Sequence, residues 1–204
     1  MIMEMTFRKA LEQRRSYYEL SRAAAIDDKQ IEEILHFAAK FVPSAFNSQS
    51  TRMVLLLHEA HTALWNDIVK ETLRAMVPPA AFPKTEQKID KSFAAGYGTV
   101  LFFEDTHVVE KLQKEFPTYA GNFTSWAEQT SAMHQLAVWT MLEESGMGAS
   151  LQHYNPIIDD KVRQRWNLPD HWRLTAQMPF GMPLDKPAPK EFLPLENRIF
   201  TFDK

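Results

Sequence analysis

The hydrophobic positions of the chain recur at helical spacing in some segments and at strand spacing in others. In residues 4–14, Met5, Phe7 and Leu11 lie near helical spacing and predict a first helix that ends near residue 14. Further helices are predicted over residues 63–77, 106–116, 124–146 and 159–166, with another inside 80–98. Short apolar runs predict strands at residues 53–58, 99–105, 149–154 and 173–183, the last with a turn, and an edge strand at 198–202.

The second helix has clear signals at both ends. Asp27 precedes the apolar periodicity and Gln30 follows three residues later, a pairing that satisfies free backbone amides at a helix start. Pro43 lacks an amide proton and so ends the helix. One face between these ends is apolar and comprises Ile31, Ile34, Leu35, Ala38, Phe41 and Val42. We predict that this face packs in the core.

The longest helical pattern covers residues 124–146, and apolar or small side chains surround it. These are Ala132, Leu136, Ala137, Trp139, Thr140 and Leu142. A helix that is apolar all round is usually buried, so we predict a central, largely buried helix that Gly146 and Gly148 terminate. Together the segments predict one α+β domain over residues 1–204, without repeats or linkers.

The composition agrees with a folded domain and excludes several classes of function. Of the 204 residues, 45% are apolar and 12% are aromatic, which is enough for a buried core. The net charge of −3 argues against a broad nucleic-acid surface, and no apolar run is as long as a membrane span. The sequence has no cysteine, which excludes disulfides and cysteine nucleophiles. We expect a soluble cytoplasmic protein that binds neither nucleic acid nor membrane.

Motifs for metal or hydrolytic chemistry are missing from the sequence. His58 and His61 are three residues apart, whereas the helical zinc-protease motif needs four, so we interpret them as a polar strand-to-helix junction. Ser48 and Ser50 lack the glycines of a nucleophile elbow. No glycine-rich nucleotide motif follows a predicted strand. We predict no metal site.

Three short segments carry candidate binding chemistry. The loop PSAFNSQSTR (43–52) puts hydroxyls, amides and one aromatic ring between two core elements, which indicates a loop that holds a ligand. Arg14, Arg15 and Ser16 could bind a phosphate dianion through the arginine forks, although a solvated basic helix end explains the same residues. Lys190, in a proline-stiffened segment, is by itself interpreted as a surface charge.

In their order along the chain, these segments resemble the motifs of the FMN-dependent nitroreductase family, and of its short, fatty-acid-repression-mutant subgroup. The matching stretches are RRSYY (14–18), PSAFNSQ (43–49), GMGASLQHY (146–154) and GMP (181–183), followed by Pro189 and Lys190. Their order and spacing agree over nearly the whole chain. The resemblance implies a nitroreductase-like α+β fold, with a mostly antiparallel central sheet surrounded by helices, assembled as a homodimer.

The resemblance also implies one FMN per subunit, bound at the dimer interface. Arginines and a lysine would neutralise its phosphate, and the loop amides would hydrogen-bond the uracil-like edge of the flavin ring of the partner subunit. The implied cofactor-binding residues are Arg14, Arg15, Ser16, Tyr18, Pro43, Ser44, Ala45, Asn47, Gln49, Leu151, Gln152, His153 and Lys190. Two departures stand out: Ser50-Thr51-Arg52 replaces the usual tryptophan, and Phe192 replaces the usual last cation. We therefore consider Arg52 as a substitute phosphate ligand.

The function that the resemblance implies is a ping-pong oxidoreductase. Hydride from NADH or NADPH would pass through flavin N5 to nitroaromatics, quinones or related small aromatic acceptors. Because the flavin carries this chemistry, we predict no catalytic side chain. Two alternatives stay open: an FMN-binding sensor or carrier without turnover, and an α+β interaction protein without flavin.

Overall fold

A five-stranded antiparallel sheet forms the centre of the protein. The computed structural model describes residues 6–203. The strands are β1 (Leu20–Ser21), β2 (Thr51–Leu57), β3 (Gly98–Asp105), β4 (Gly148–Ala149) and β5 (Trp172–Pro183). Their order is β1–β5–β3–β2, β4 also pairs with β5, and all of these pairings are antiparallel. The predicted α+β class and antiparallel sheet are confirmed.

Helices cover both faces of the sheet. They are α1 (Phe7–Gln13), α2 (Asp28–Phe41), α3 (His58–Ala63), α4 (Glu71–Met76), α5 (Phe82–Ser92), α6 (Thr106–Glu115), α7 (Ala120–Glu144) and α8 (Asp159–Trp166). A π-helical segment, Leu64–Lys70, joins α3 to α4, and 3-10 turns cover Ala45–Asn47, Pro117–Tyr119 and Leu195–Asn197. Within residues 6–203, no helix has the length and apolarity needed to cross a bilayer.

The sheet separates two hydrophobic cores, because alternate residues of a strand point to opposite faces. Val100 and Phe102 of β3 pack with α2 and α7 on one face. Leu101 and Phe103 of the same strand pack on the other face with Trp65 and the helices around it. All positions of β3 are buried, so this strand is the centre of both cores.

The local end signals of α2 and α7 are confirmed. Asp27 Oδ1 accepts a hydrogen bond from the amide of Gln30 at 2.8 Å, and the Gln30 side chain accepts one from the amide of Asp27 at 3.0 Å. After α7, Gly146 adopts a left-handed φ of 80°. The amide of Met147 then donates to the carbonyl of Leu142 at 2.8 Å. This is the glycine-ended pattern that satisfies the last carbonyls of a helix.

Several element boundaries differ from the prediction. β2 begins at Thr51 and ends at Leu57, so His58 starts α3 and does not end the strand. The helix predicted from residue 63 therefore starts at 58, and α7 starts at Ala120 instead of 124. Neither start has a capping side chain, so the residue pattern carried no start signal there. The predicted start of α1 lies outside the described residues.

Two strand predictions near the C-terminus are wrong in part. Residues 173–183 contain no turn, because β5 runs unbroken to Pro183 alongside β3. Residues 149–154 form a strand only at β4, followed by one bridge between Gln152 and Gln177. The segment then leaves the sheet, because the side chain of Gln177 accepts the hydrogen bond of the Tyr154 amide at 2.7 Å.

The predicted edge strand at 198–202 is wrong for the single chain. No strand lies within residues 184–203. The large apolar side chains of this tail are exposed: Leu184, Phe192, Leu193, Leu195, Ile199, Phe200 and Phe202. Alternating polarity favours a strand, but an edge strand also needs a neighbouring strand to accept its hydrogen bonds, and residues 198–202 pair with no strand within residues 6–203.

Helix α7 is buried on one face only, which corrects the prediction of a largely buried helix. Thr140 and Leu142 are buried as predicted, whereas Ala132 and Leu136 are exposed. The buried positions follow helical spacing toward the sheet and are Phe123, Ala127, Thr130, Ser131, His134, Val138, Thr140 and Leu142. Opposite apolar positions such as Met133 and Leu136 stay exposed among the described residues 6–203.

His61 lies buried at the strand-to-helix junction that the sequence predicts. His61 is 1% exposed, and its Nδ1 atom lies 2.8 Å from Thr99 Oγ1. The same hydroxyl accepts a hydrogen bond from the indole of Trp65 at 2.9 Å. Burial lowers the pKa of His61 to about 4, so the ring is neutral at pH 7.

We expect His61 to make stability depend on pH. An unfolded histidine titrates near pH 6.5, so between that pH and about 4 only the unfolded chain binds the proton, and stability falls as the pH falls. As the pH is lowered through this window, the free energy of unfolding should decrease faster in the parent than in His61→Asn. The difference between the two slopes should be about 1.4 kcal/mol per pH unit. The variant keeps a polar atom toward Thr99 but does not titrate. Urea unfolding at several pH values measures both slopes, and parallel profiles would contradict the assignment.

Candidate functional site

The RRSYY segment lies beside the turn that follows α7. It begins where α1 ends, and Ser16 forms a parallel bridge with Ala149. The amide of Tyr17 donates to the carbonyl of Ala149 at 3.0 Å. A Cβ atom on Gly148 would come within 2.9 Å of the Tyr17 ring, so glycine is needed for this close approach. The structure thus joins two of the predicted motifs.

Arg14 is held in a poorly hydrated position against α7. Its guanidinium lies 4.3 Å from the centre of the Trp139 ring, and its buried Nε has no hydrogen-bond partner. Burial lowers the pKa of Arg14 and raises the pKa of the nearby Glu143. The Tyr17 hydroxyl donates to Glu143 at 3.4 Å. Buried donors without partners are rare, so Arg14 Nε is a group that a bound anion would satisfy.

The neighbouring predicted residues differ in exposure. Arg15 and Ser16 are half-buried, and Tyr18 is exposed. Within residues 6–203, Arg15 makes no ion pair. A cavity of about 360 Å³ separates residues 16–19 from the start of the tail at residues 185–188. The segment is therefore open to a ligand on the side of the tail.

Residues 151–153 extend the same surface. Gln152 exchanges backbone hydrogen bonds with Gln177 of β5 at 2.7 and 2.9 Å, which fixes Leu151 half-buried and His153 exposed. Gln177 itself is fully buried, and its amide also donates to the side chain of Asn155 at 3.2 Å. Sequence reasoning missed Gln177, because a single glutamine inside an apolar strand was its only signal. It determines where the segment turns out of the sheet.

The loop 43–49 has an unusual backbone. Phe46, Asn47 and Gln49 have positive φ angles of 56°, 51° and 48°, a region that costs non-glycine residues about 1–2 kcal/mol each. The hydroxyl of Ser44 accepts a hydrogen bond from the amide of Gln49 at 3.0 Å. Pro43 and both amide side chains are exposed, and Ala45 is half-buried. Ser44 thus holds the loop in shape while the amides face outward.

An aromatic cluster anchors the loop through Phe46. Its ring lies 4.9 Å from Phe116, 5.3 Å from Phe123 and 5.9 Å from Trp126, in a stacked orientation with the last. Beside this stack is a cavity of about 310 Å³, whose lining includes Trp126 and Met133 of α7. The sequence singled out Phe46 as the one aromatic residue of the loop, but its partners on α6 and α7 were not foreseen.

Arg52 is not available as a substitute phosphate ligand, contrary to the prediction. Its guanidinium donates to Asp105 Oδ2 and to the carbonyl of Gln49, at 2.8 and 2.7 Å. Asp105 is buried and also caps α6. These bonds occupy N–H donors of the Arg52 guanidinium with acceptors of the protein, so the same donors are not free for a phosphate. Arg52 therefore holds the loop against the end of β3.

Lys190 lies in the tail that follows β5. Its ammonium lies 5.5 Å from the ring of Phe192, in the exposed tail. Like Arg14 and Arg15, it is a hydrogen-bond donor without acceptors, so these three cations could meet only around a shared anion. Residues 185–188 of the tail line a cavity together with residues 16–19, just before Lys190 in the chain.

The loop and the arginine segment occupy different parts of α7. The loop packs near Trp126, whereas Arg14 packs on Trp139. Thirteen residues of helix separate these two tryptophans, which corresponds to about 20 Å. One chain therefore holds two separate groups of candidate residues, which we name the arginine half-site (around residues 14–18 and 148–153) and the loop half-site (around residues 43–49).

The chain belongs to the nitroreductase family. The sequence profile of that family matches residues 11–182, a range that includes both half-sites. Two Saccharomyces cerevisiae proteins are similar over most of their length. HBN1 is 36% identical over 200 residues, which covers 96% of this chain and 97% of its own. Nitroreductase FRM2 is 34% identical over 188 residues, or 90% and 91% of the two chains. These relatives confirm the predicted subgroup.

Solved structures confirm the fold. Nitroreductase CinD from Lactococcus lactis, in complex with chloramphenicol, is 41% identical and superimposes with a TM-score of 0.88, over 97% of this chain and 100% of CinD. CinD in complex with 4-nitrophenol gives the same identity and score. A protein from Exiguobacterium sibiricum, in complex with FMN, is 14% identical with a TM-score of 0.71, which shows the shared fold alone. The chain is thus an oxidoreductase of the nitroreductase family.

The left-handed backbone at Phe46 predicts that Phe46→Gly is more stable than Phe46→Ala, the reverse of the order usual in a helix. Phe46→Ala should lower the free energy of unfolding by about 1–2 kcal/mol, because a half-exposed ring is lost. Phe46→Gly loses the same ring but avoids the left-handed penalty, so it should be the more stable of the two, by up to about 1 kcal/mol. Phe37, equally exposed on α2, is the matched control, because glycine is worse than alanine in a helix. Denaturant unfolding that ranks Phe46→Ala above Phe46→Gly would contradict the strained loop.

Proposed function

We propose that the protein is an FMN-dependent NAD(P)H oxidoreductase that reduces nitroaromatics, quinones or related small aromatic acceptors. The observation that carries the proposal is the arginine half-site. Arg14 offers a buried donor without a partner, and Arg15 offers an unpaired fork beside it. In a chain with net charge −3, this local positive charge suits the phosphate of FMN.

The remaining predicted residues also fit FMN. Asn47 and Gln49 hold exposed amides on a fixed loop, and an amide can meet both the donors and the acceptors of the flavin's uracil-like edge. Leu151 and Gln152 follow closely after Ala149, which pairs with Ser16, and offer one apolar and one polar side chain. Lys190 lies on the exposed tail and forms no ion pair within residues 6–203, so we assign it the weakest role.

We further propose a homodimer in which the loop half-site of one subunit completes the arginine half-site of the other. The 20 Å separation along α7 leaves each half-site incomplete in one chain. Exposed apolar side chains supply the interface such a dimer needs. They include Met133 and Leu136 on α7, Phe37 and Phe41 on α2, and Phe192, Phe200 and Phe202 in the tail. We expect a buried area above about 2,000 Å² in total.

The protein's part in the reaction is to bind and orient. Bound FMN supplies hydride acceptance and donation at its N5 atom. The Phe46–Trp126 stack and the cavity beside it offer a flat apolar wall for an aromatic acceptor. CinD, the similar L. lactis protein, is solved with chloramphenicol and with 4-nitrophenol, both of which carry an aromatic ring. We assign no side chain as nucleophile or obligatory acid, and we place the reaction in the cytoplasm, where both nicotinamide donors are available.

Anaerobic titration tests the proposed function. The purified protein should release FMN and not FAD, and NADH or NADPH should bleach its visible flavin bands. A nitroaromatic or a quinone added afterwards should restore the bands, because turnover alternates between donor and acceptor. Bleaching without recovery by any acceptor would favour a flavin sensor or carrier. A protein that stays colourless with added FMN would favour an interaction protein without flavin.

The phosphate assignment predicts different responses to FMN and to riboflavin. Arg14→Ala or Arg15→Ala should weaken FMN by roughly 10- to 100-fold, because each removes a charge-assisted hydrogen bond. Arg15→Lys should recover only part of this loss, since lysine lacks the fork, and Lys190→Ala should have a smaller effect. Arg198→Ala, in the exposed tail, is the charge control. Titration of both ligands into apoprotein decides the matter: equal losses for riboflavin would show that the arginines do not bind the phosphate.

A further inference from the structure

A polar cavity lies at the end of the sheet where β2 ends and β3 begins. Its volume is about 510 Å³, within the range of small-molecule sites. The charged and aromatic part of its lining comprises Arg22, His58, Glu59, His61, Asp67, Tyr97 and Arg165. None of these residues is among the predicted FMN ligands, so the cavity is unexplained by the proposed function.

A hydrogen-bond network fixes one wall of this cavity. Asp28 accepts from the Tyr97 hydroxyl, and its other oxygen lies 2.9 Å from His58 Nε2. The two rings meet edge to face at 5.9 Å. His58 also has a left-handed φ of 51°. Strained residues of this kind concentrate at ligand sites and clamps, so the wall is shaped at an energetic cost.

Two arginines and two carboxylates face the cavity without pairing. Within residues 6–203, Arg22 and Arg165 form no ion pair or side-chain hydrogen bond, and the same is true of Glu59 and Asp67. All four residues are exposed, so their charged groups can be reached by a ligand from solvent. Opposite charges that share a cavity yet stay more than 4.0 Å apart leave room for a ligand between them.

The floor of the cavity adds no net charge. His61 is neutral at pH 7, because burial and, to a lesser degree, the charge of Arg22 lower its pKa. His58 Nε2 is bonded to Asp28 Oδ2, a carboxylate outside the cavity lining. The unpaired groups that remain are two cations and two anions, which sum to zero. A ligand with zero net charge and both signs matches this arrangement better than a simple anion.

We propose that this cavity binds a small aminocarboxylate zwitterion. The arginine forks bind its carboxylate through charge-assisted hydrogen bonds. Glu59 and Asp67 accept hydrogen bonds from its ammonium group. The ring wall of His58 and Tyr97 packs against the carbon chain between the two charged ends. This site does not depend on FMN binding, and the two proposals can fail separately.

The test uses the full-length, ¹⁵N-labelled protein as purified, with its flavin. L-Alanine and 6-aminohexanoate probe short and long charge spacing, while propionate and ethylamine each carry one of the two charges. The Nε–Hε signals of Arg22 and Arg165, assigned from their glutamine variants, report binding in NMR titrations. We expect at least one zwitterion to bind tenfold or more tightly than both single-charge compounds. The flavin absorbance should stay unchanged.

Matched variants sharpen the outcome. Arg22→Gln and Asp67→Asn should each weaken the zwitterion about tenfold or more, since each removes a hydrogen bond to a charged group. Asp67→Asn should not weaken propionate, and Arg198→Gln should change nothing. Equal affinities for the zwitterions and the single-charge compounds, or equal losses in Arg198→Gln, would overturn the proposal. Saturable binding of inorganic phosphate more tightly than either zwitterion would show a simple anion site instead.

Discussion

The arrangement of the arginine half-site depends on the pairing of one strand, β5. Along one edge β5 pairs with β3, and along the other it pairs with β1, β4 and Gln152. Since backbone hydrogen bonds fix register, this edge brings residues 14–21 and residues 148–152 together. Ser16 and Ala149, far apart in sequence, become direct neighbours.

Signals that act over a few residues predicted the fold well. The Asp27–Gln30 box and the glycine after α7 were confirmed because both act within one helical turn. The tail was mispredicted because strand formation depends on a partner strand that no local pattern specifies. The exposed side of α7 was mispredicted for a related reason. Apolar residues such as Leu136 indicate that a surface is to be buried, but they do not indicate whether the same chain or another one buries it.

The candidate site was predicted as a set of residues, and the sequence did not show how they are arranged. Motif order selected the residues of both half-sites, whose binding role stays a prediction, and Arg52 was misread because its partner, Asp105, is distant in sequence. The left-handed backbone at Phe46 and Asn47 was equally hidden, because no glycine marks it. Such strain persists only where surrounding packing compensates for it. Here the compensation comes from an aromatic cluster on α6 and α7 that forms only after folding.

The central claim, that two subunits share each flavin site, is tested most directly by subunit complementation. One chain carries Arg14→Ala and Arg15→Ala, and a differently tagged chain carries Asn47→Ala and Gln49→Ala. If the half-sites come from different subunits, the purified heterodimer has one intact site and one site with both defects. The account predicts that it binds one FMN per dimer with parental affinity, while both variant homodimers bind weakly. A heterodimer that binds FMN no better than either homodimer would contradict the shared site.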